Sequence, residues 1–416
     1  MLRLSVPDKE MLSGNRGDAA QFAMQLLVAL AESQGAERMI DIAWAHVASA
    51  YNQGQVNMDF ARRLTDGNAR VAVPTTLTAC AVDLRKGAAK SSVERAQLEL
   101  IDTYASMGCD PVMTCAPYHA RPEPKCGEQL AWSESSAVVY ANSVLGARSN
   151  RYVEFVDMCA ALTGRVPDCG LHTNQGRRAS VLFQLRDIPD RWYADDWFFH
   201  ALGILVGRQS GTGVPAIQGF AEHSSIEQLR ALGSAAATAG SVSMFHAIGL
   251  TPEARTLDDA FQGRTPGRQI CVTADDIRGV AAELGAHPDL RLTAVCLGAP
   301  HASFSELALL HQLLDGREVA SGLQVYVATS AAMLGQLETA ELLDDLIRAG
   351  VKLVIGRCTY YRPTMPGADG HVMTNSAKWA YYAPSGLGAT VTFATLADCV
   401  ESACAGRVVL RESATR

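Results

Sequence analysis

Apolar positions along the chain follow two alternating periods. Stretches with an apolar residue at every third or fourth position separate short, continuous apolar runs, which is the pattern of an α/β protein. Over 18–34, Phe22, Ala23, Leu26, Leu27 and Leu30 share one helical face, with Asp18 placed to start the helix and Gly35 to end it. Helices are likewise predicted over 93–107, 132–145 and 338–349. Strands are predicted over 39–46, 69–73, 112–115, 180–185, 241–248, 292–297 and 352–355. The run 199–206 is apolar all round and suits a buried helix or a strand. Ser303 and Glu306 form the S-x-x-E pattern of a capping box, which opens a helix reaching about Leu314. Polar, aperiodic stretches at 254–268 and 363–374 read as loops or domain edges.

With 416 residues, 48% of them hydrophobic, the chain can bury more than one core. The expected division is an N-terminal α/β domain over 1–195, a middle one over 196–290 and a C-terminal one over 291–416. The net charge is -7 and no basic stripe interleaved with aromatics occurs, so nucleic acid is not an expected partner. No apolar run reaches the ~18–20 residues needed to span a bilayer. The start, MLRLSVPDKE, lacks the apolar core of a signal peptide, so a cytoplasmic protein is expected. Eleven cysteines without any C-x-x-C pair argue for free thiols, and against a zinc ribbon or a ferredoxin-type motif. A cysteine metal site here has to be assembled from distant parts of the chain.

Cys115, Cys296 and Cys358 share a context: each lies at or just beyond the end of a predicted strand, with turn residues following. Ligands of open α/β sheets bind outside the carboxyl ends of the strands, and thiolates there are suited to iron. Cys109 and Cys126 flank the Cys115 loop; the other cysteines sit in apolar or helical surroundings and read as space-fillers. Residues 132–151 crowd Glu134, Ser135, Ser136, Asn142, Ser143 and Arg148 into one short stretch. Serine and asparagine are poor choices inside a helix, so this stretch reads as the polar wall of a pocket rather than as a helix with caps. Thr75 and Thr76 place two hydroxyls after Pro74, and His172 and His301 stand at turns. Asn375, Ser376 and Lys378 bring an amide, a hydroxyl and an ammonium together.

Several long segments resemble the aconitase X family, in its large-subunit part. They include VPTTLTACAVD (73–83), MGCDPVMTCAPY (107–118), GEQLAWSESSAVVYANSVLGARSNR (127–151), LGAPHASFSE (297–306) and TNSAKWAYY (374–382). Others are AMQLLVALAESQGAERMIDIAWAHV (23–47), TGRVPDCGLH (163–172) and IGLTPEA (248–254), so the resemblance covers nearly the whole chain in order.

The resemblance implies an aconitase-like fold, with several stacked α/β/α domains around a central cleft. It implies a hydro-lyase that dehydrates a small hydroxy acid with the help of iron, as an iron–sulfur cluster or a single ion. A small swivelling domain is expected as a separate partner subunit. Cys115 falls on the family's T-C-A-P-Y cysteine and Cys358 on its late strand-end cysteine. The third ligand is expected to be Cys296, because Gly298-Ala299-Pro300-His301 stands where other members read G-C-P-H. Glu134, Ser135, His172 and Lys378 are the expected catalytic groups. Thr75, Thr76, Ser136, Asn142, Ser143, Arg148 and Ser376 are expected to bind substrate.

Family activities are dehydration of cis-3-hydroxy-L-proline to a pyrroline-2-carboxylate and dehydration of mevalonate 5-phosphate. The first is the expectation here, because no phosphate-cradling glycine loop is evident. The alternatives are the second activity, or a non-catalytic iron–sulfur protein on the same scaffold. A zinc hydrolase is disfavoured by the absence of H-E-x-x-H.

Overall fold

The computed structural model describes residues 2–86, 91–220 and 224–411. Among them the chain forms three parallel sheets in succession, together with one short antiparallel pair, Met39–Asp41 with Arg165–Pro167. The expected α/β class therefore holds. Helices cover the sheets, so most strands are buried on both faces and read as continuous apolar runs.

In the first sheet, Trp44–Val47 lies between Thr75–Leu77 and Leu130–Trp132. The helices Asp18–Ser33 and Val156–Thr163 pack under it, burying Ala23, Met24 and Leu27. The strand predicted over 39–46 is two strands, divided at Ile42 and Ala43. No strand forms over 69–73 or 112–115. The amides of Val71 and Ala72 instead donate to the carbonyls of Met107 and Ala161, at 3.0 and 2.8 Å.

The middle sheet runs His246–Ala247, Pro215–Gln218, Val181–Leu185, Arg268–Val272, all parallel. Val181–Leu185 is one of its inner strands, although it precedes the division expected at 195. The run 199–206 resolves as helix, inside Asp196–Ser210, whose residues are buried from Trp197 to Gly207. That helix lies against Ile226–Ala239 at very short range. A methyl group at Gly203 would stand 2.4 Å from the Leu232 carbonyl oxygen, and one at Gly207 2.5 Å from that of Ala236. Only glycine permits this approach.

The last sheet runs Val351–Ile355, Gln324–Thr329, Ala294–Leu297, His371–Thr374, Thr390–Phe393. The chain enters at the central strand Ala294–Leu297, winds outward to one side, then returns to fill the other. The strand order therefore reverses between Ala294–Leu297 and His371–Thr374, and a crevice opens at such a point. The Ser303 capping box forms as predicted and starts Phe304–Leu314. The helix predicted over 338–349 is split into Ala331–Thr339 and Leu343–Arg348. No helix among the described residues is long and apolar enough to cross a membrane.

Candidate metal centre

The loops leaving the carboxyl ends of the first and last sheets meet. The Cys80 amide donates to the Gly356 carbonyl at 2.8 Å, and the Ile355 amide to the Asp83 carboxylate at 3.2 Å. The loop after Ala294–Leu297 carries His301, and the loop after His371–Thr374 carries Ser376 and Lys378. Cys358 follows Val351–Ile355, and Glu134 follows Leu130–Trp132. The strand-order reversal of the last sheet thus faces the strand ends of the first.

Where they meet, the ligand atoms of Cys115, His301 and Cys358 lie within 4.8 Å of one another, all three residues buried. The His301 amide donates to Cys115 Sγ at 3.1 Å. The adjoining Cys358 thiol is the main reason the Cys115 thiol falls below its ordinary value; burial opposes it and His301 assists. The same contact, with burial, pushes the Cys358 thiol up. His301 Nδ1 is 3.1 Å from Thr114 Oγ1, which also accepts from the Ala116 amide. With the ring proton on Nδ1, the Nε2 lone pair is free. That atom is buried and has no hydrogen-bond partner. An orphaned imidazole nitrogen beside two sulfurs fits a cation of borderline softness, such as iron or zinc. Thr114 would then be the group that orients the ligand ring.

Cys296 is not part of this group. It lies within Ala294–Leu297, a strand buried at every position, and its side chain fills the core between that sheet and its helices. Burial pushes its thiol up to about 12, so it stays protonated. His301, read from sequence only as a turn histidine, takes the third place. The loop between them carries the reactive position five residues past Cys296, beyond the strand end.

Lys378 and Glu134 stand beside the triad. Lys378 Nζ donates to Glu134 Oε1 at 2.9 Å and to Ser136 Oγ at 2.9 Å. Their side chains are 4% and 13% exposed. Burial alone would raise the Glu134 carboxyl, but the charge of Lys378 and its hydrogen bond hold it below its ordinary value. Burial would lower Lys378, but Glu134, Cys115 and Cys358 together raise it. Lys378 occupies the first turn of Ala377–Leu387, the positive end of the helix dipole. A lysine placed against that dipole, in a dry site, is held there by its anionic neighbours. Both helix starts rest on Ile226–Ala239: Ser136 Oγ is 3.1 Å from Ser234 Oγ, and the site helix Ser135–Tyr140 packs along it.

His46 was not singled out in the sequence. Its Nδ1 is 2.9 Å from Thr76 Oγ1, which also accepts from Trp44 Nε1 at 3.0 Å. Its Nε2 is buried without a partner, and burial lowers its pKa to about 4 despite Glu134 nearby. A histidine within the central strand of a parallel sheet, where an apolar residue is the norm, was the available signal.

Other expected site residues are committed elsewhere. Asn142 sits in a π-helical turn, Ala141–Leu145, and bonds the Ser149 and Ser243 carbonyls at 2.8 and 2.9 Å. Its oxygen accepts from the Ser149 amide and from Arg177, at 2.9 and 3.1 Å. Ser143 Oγ accepts from the Phe245 amide at 2.9 Å. His172 has both nitrogens engaged, by Tyr152 and Gln129, each at 2.6 Å. Arg148 bonds the His172 carbonyl at 3.0 Å and Asn174. Thr75 donates to the Val73 carbonyl at 2.9 Å. Ser376 caps its helix and donates to the Ala299 carbonyl, which steadies the His301 loop. Ser135 starts its helix, 3.5 Å from Glu134 Oε1. The geometry thus gathers Glu134, Ser135, Ser136, Lys378, Cys115 and Cys358, with Thr76 one bond removed. Asn142, Ser143, His172, Arg148 and Thr75 are engaged in hydrogen bonds within the chain.

Comparison with known proteins gives matches over nearly the whole chain. Family models described as aconitase X first, second and third domain match residues 1–175, 179–282 and 292–405. A cis-3-hydroxy-L-proline dehydratase of Pseudomonas aeruginosa is 41% identical over 97% of this chain and 70% of its own length. One from Hypocrea jecorina is 39% identical over 97% and 69%. A phosphomevalonate dehydratase large subunit of Methanothermobacter thermautotrophicus is 34% identical over 92% of this chain and 94% of its own. The crystal structure of the holo-form of Thermococcus kodakaraensis aconitase X superposes with a TM-score of 0.85, at 29% identity, covering 97% of this chain and all of that one.

Proposed function

The chain belongs to the aconitase X family, and from that premise we propose that it dehydrates cis-3-hydroxy-L-proline to a pyrroline-2-carboxylate and water. The carrying observation is the buried Cys115–His301–Cys358 group standing beside the ionised Glu134–Lys378 pair. Iron held by the two sulfurs and the imidazole would supply a Lewis acid for the leaving 3-hydroxyl.

The chain's own groups do the rest. Lys378, with Ser135 and Ser136 at the adjoining helix start, binds the substrate carboxylate. Glu134, kept ionised by Lys378, takes the Cα proton. The Cα–H and Cβ–O bonds break, the ring gains a double bond, and the proton and hydroxide leave as water. The half-buried tyrosines Tyr360 and Tyr361, packed beside Cys115 and Cys358, help to screen the centre from solvent.

Two observations favour hydroxyproline over mevalonate 5-phosphate. The hydroxyproline dehydratases share more identity with this chain, and a phosphate dianion calls for several cations. Of the sequence's other candidate cations, Arg148 is spent on the His172 carbonyl and Asn174, which leaves Arg151, close enough to Glu134 to help hold its carboxyl down, as the one of them beside Lys378. A separate small subunit completes the site. The archaeal relatives matched over 94% of their length are themselves named large subunits. The enzyme works in the cytoplasm, where its free cysteines stay reduced.

The test is an anaerobic assay of the chain co-expressed with its small partner, on both substrates. Turnover of cis-3-hydroxy-L-proline is expected. Turnover of mevalonate 5-phosphate alone would reverse the substrate assignment.

A further inference from the structure

We infer that Arg230, on the helix Ile226–Ala239 of the middle unit, is a positioning residue for the metal centre, acting through the backbone of His301. The inference rests on the reading of His301 as a ligand. Arg230 is almost wholly buried and far along the chain from any site motif. Its guanidinium spans three acceptors. Nε donates to Glu227 at 2.6 Å, Nη2 to Glu306, and Nη1 to the His301 carbonyl at 3.1 Å.

Both carboxylates are in turn tied to the segment that follows His301. Glu306 accepts from the Ser303 amide at 2.8 Å as the reciprocal half of the capping box. Glu227 accepts from Ser305 Oγ at 2.8 Å. Arg230 thus clamps the start of Phe304–Leu314 and the His301 carbonyl at once. His301 is then fixed at three atoms: its carbonyl by Arg230, its amide by Cys115 Sγ, and its Nδ1 by Thr114. These three contacts restrict how the ring can sit among the sulfurs.

Arginine is the residue this task requires. Its planar fork reaches three acceptors in fixed directions, whereas a lysine ammonium keeps the charge but cannot hold that geometry. The consequence is a division of labour. The first unit supplies Cys115 and Thr114, the last supplies His301 and Cys358, and the middle unit sets the angle at which the histidine meets them.

The test compares anaerobically purified wild type, Arg230→Lys, Glu306→Gln and His301→Ala by absorption spectrum and by the rate of iron loss to a chelator. Arg177→Lys serves as control, since Arg177 is equally buried and paired to Glu253 at 2.6 Å but bonds nothing in the centre. Arg230→Lys is expected to shift the spectrum and to lose iron at least tenfold faster, with Glu306→Gln showing the same shift more weakly. Arg177→Lys should leave both readouts as in wild type. A wild-type spectrum and iron-loss rate in Arg230→Lys, or in Glu306→Gln should the lysine variant fail to fold, overturns the inference. Equal changes in Arg177→Lys overturn it too, by showing a general loss of packing. If His301→Ala itself keeps the wild-type spectrum, the ligand reading fails, a result separable from a failure of Arg230 alone.

Discussion

Breaking the Lys378–Glu134 pair from either side strands a charge in a site with almost no water, and the cost follows from the geometry. At 2.9 Å the Coulomb attraction is about 6 kcal/mol with an effective dielectric of ~20. Much of that offsets the desolvation of two ions, so the intact pair contributes little net stability. Removing one member leaves the desolvation without the compensation. Glu134→Gln and Lys378→Met should therefore each destabilise by ~3–5 kcal/mol. The double variant should cost far less than the sum of the two single variants, because neither charge is left alone.

The assay is urea unfolding near pH 7, followed by tryptophan fluorescence, with the slope checked for constancy across the set. Trp132 and Trp379, both fully buried next to the pair in sequence, report on this region. The pH dependence has a definite sign. Glu134 has a depressed carboxyl, so its contribution is present above the ordinary carboxylate range and lost as pH falls through its folded value. Single variants within ~1 kcal/mol of wild type, or effects that add within ~0.5 kcal/mol, would refute the buried-pair reading.

Asn142→Ala should cost about 3 kcal/mol of stability, by leaving several buried partners unpaired, and a thermal melt on the loaded protein would measure it. Were Asn142 a substrate contact instead, the variant would melt like wild type and lose only turnover. Gly203→Ala should destabilise by ~2–3 kcal/mol or fail to fold, since its methyl meets a backbone oxygen at 2.4 Å; an unchanged melt would contradict that packing. Acid should weaken the fold. Burial lowers His46 and His172 to about 4 and His200 to about 3, so the unfolded chain binds more protons between those values and 6.5. Each histidine adds about 2 kcal/mol between pH 5 and neutrality; Asp196, whose carboxyl burial raises to about 7, offsets about one of the three, so stability should still rise with pH, and flat or falling stability from pH 5 to 7 would refute it.

What could be read from the sequence was governed by how local its causes are. The capping box at Ser303 and Glu306 is a contact between neighbours, and it formed as predicted. The helix Asp18–Ser33 has its apolar face written in its own spacing. Cys115, Cys358, Glu134 and Lys378, which the structure brings together, stood out in the sequence by their place after apolar runs or in crowded polar stretches. Asn142 also stood out, but its purpose is structural: Arg177, from a distant segment, needs its oxygen, and no local pattern records that. Cys296 lies inside its strand, away from the Cys115–His301–Cys358 group, and a thiol at a strand end differs from one inside it by only one or two positions. Parallel strands covered on both faces give no alternation to tell them apart. His301 was underrated for the converse reason, since its partners come from residues near 114 and 358.

Iron content, together with the absorption spectrum, of the anaerobically purified protein decides whether Cys115, His301 and Cys358 form the centre. Wild type and Cys296→Ala should carry iron with the same spectrum. Cys115→Ser, His301→Ala and Cys358→Ser should each lose most of the iron or shift its absorption, because a hydroxyl or a methyl cannot replace these donors. Full iron and an unchanged spectrum in all three, or loss of iron in Cys296→Ala alone, would contradict the assignment.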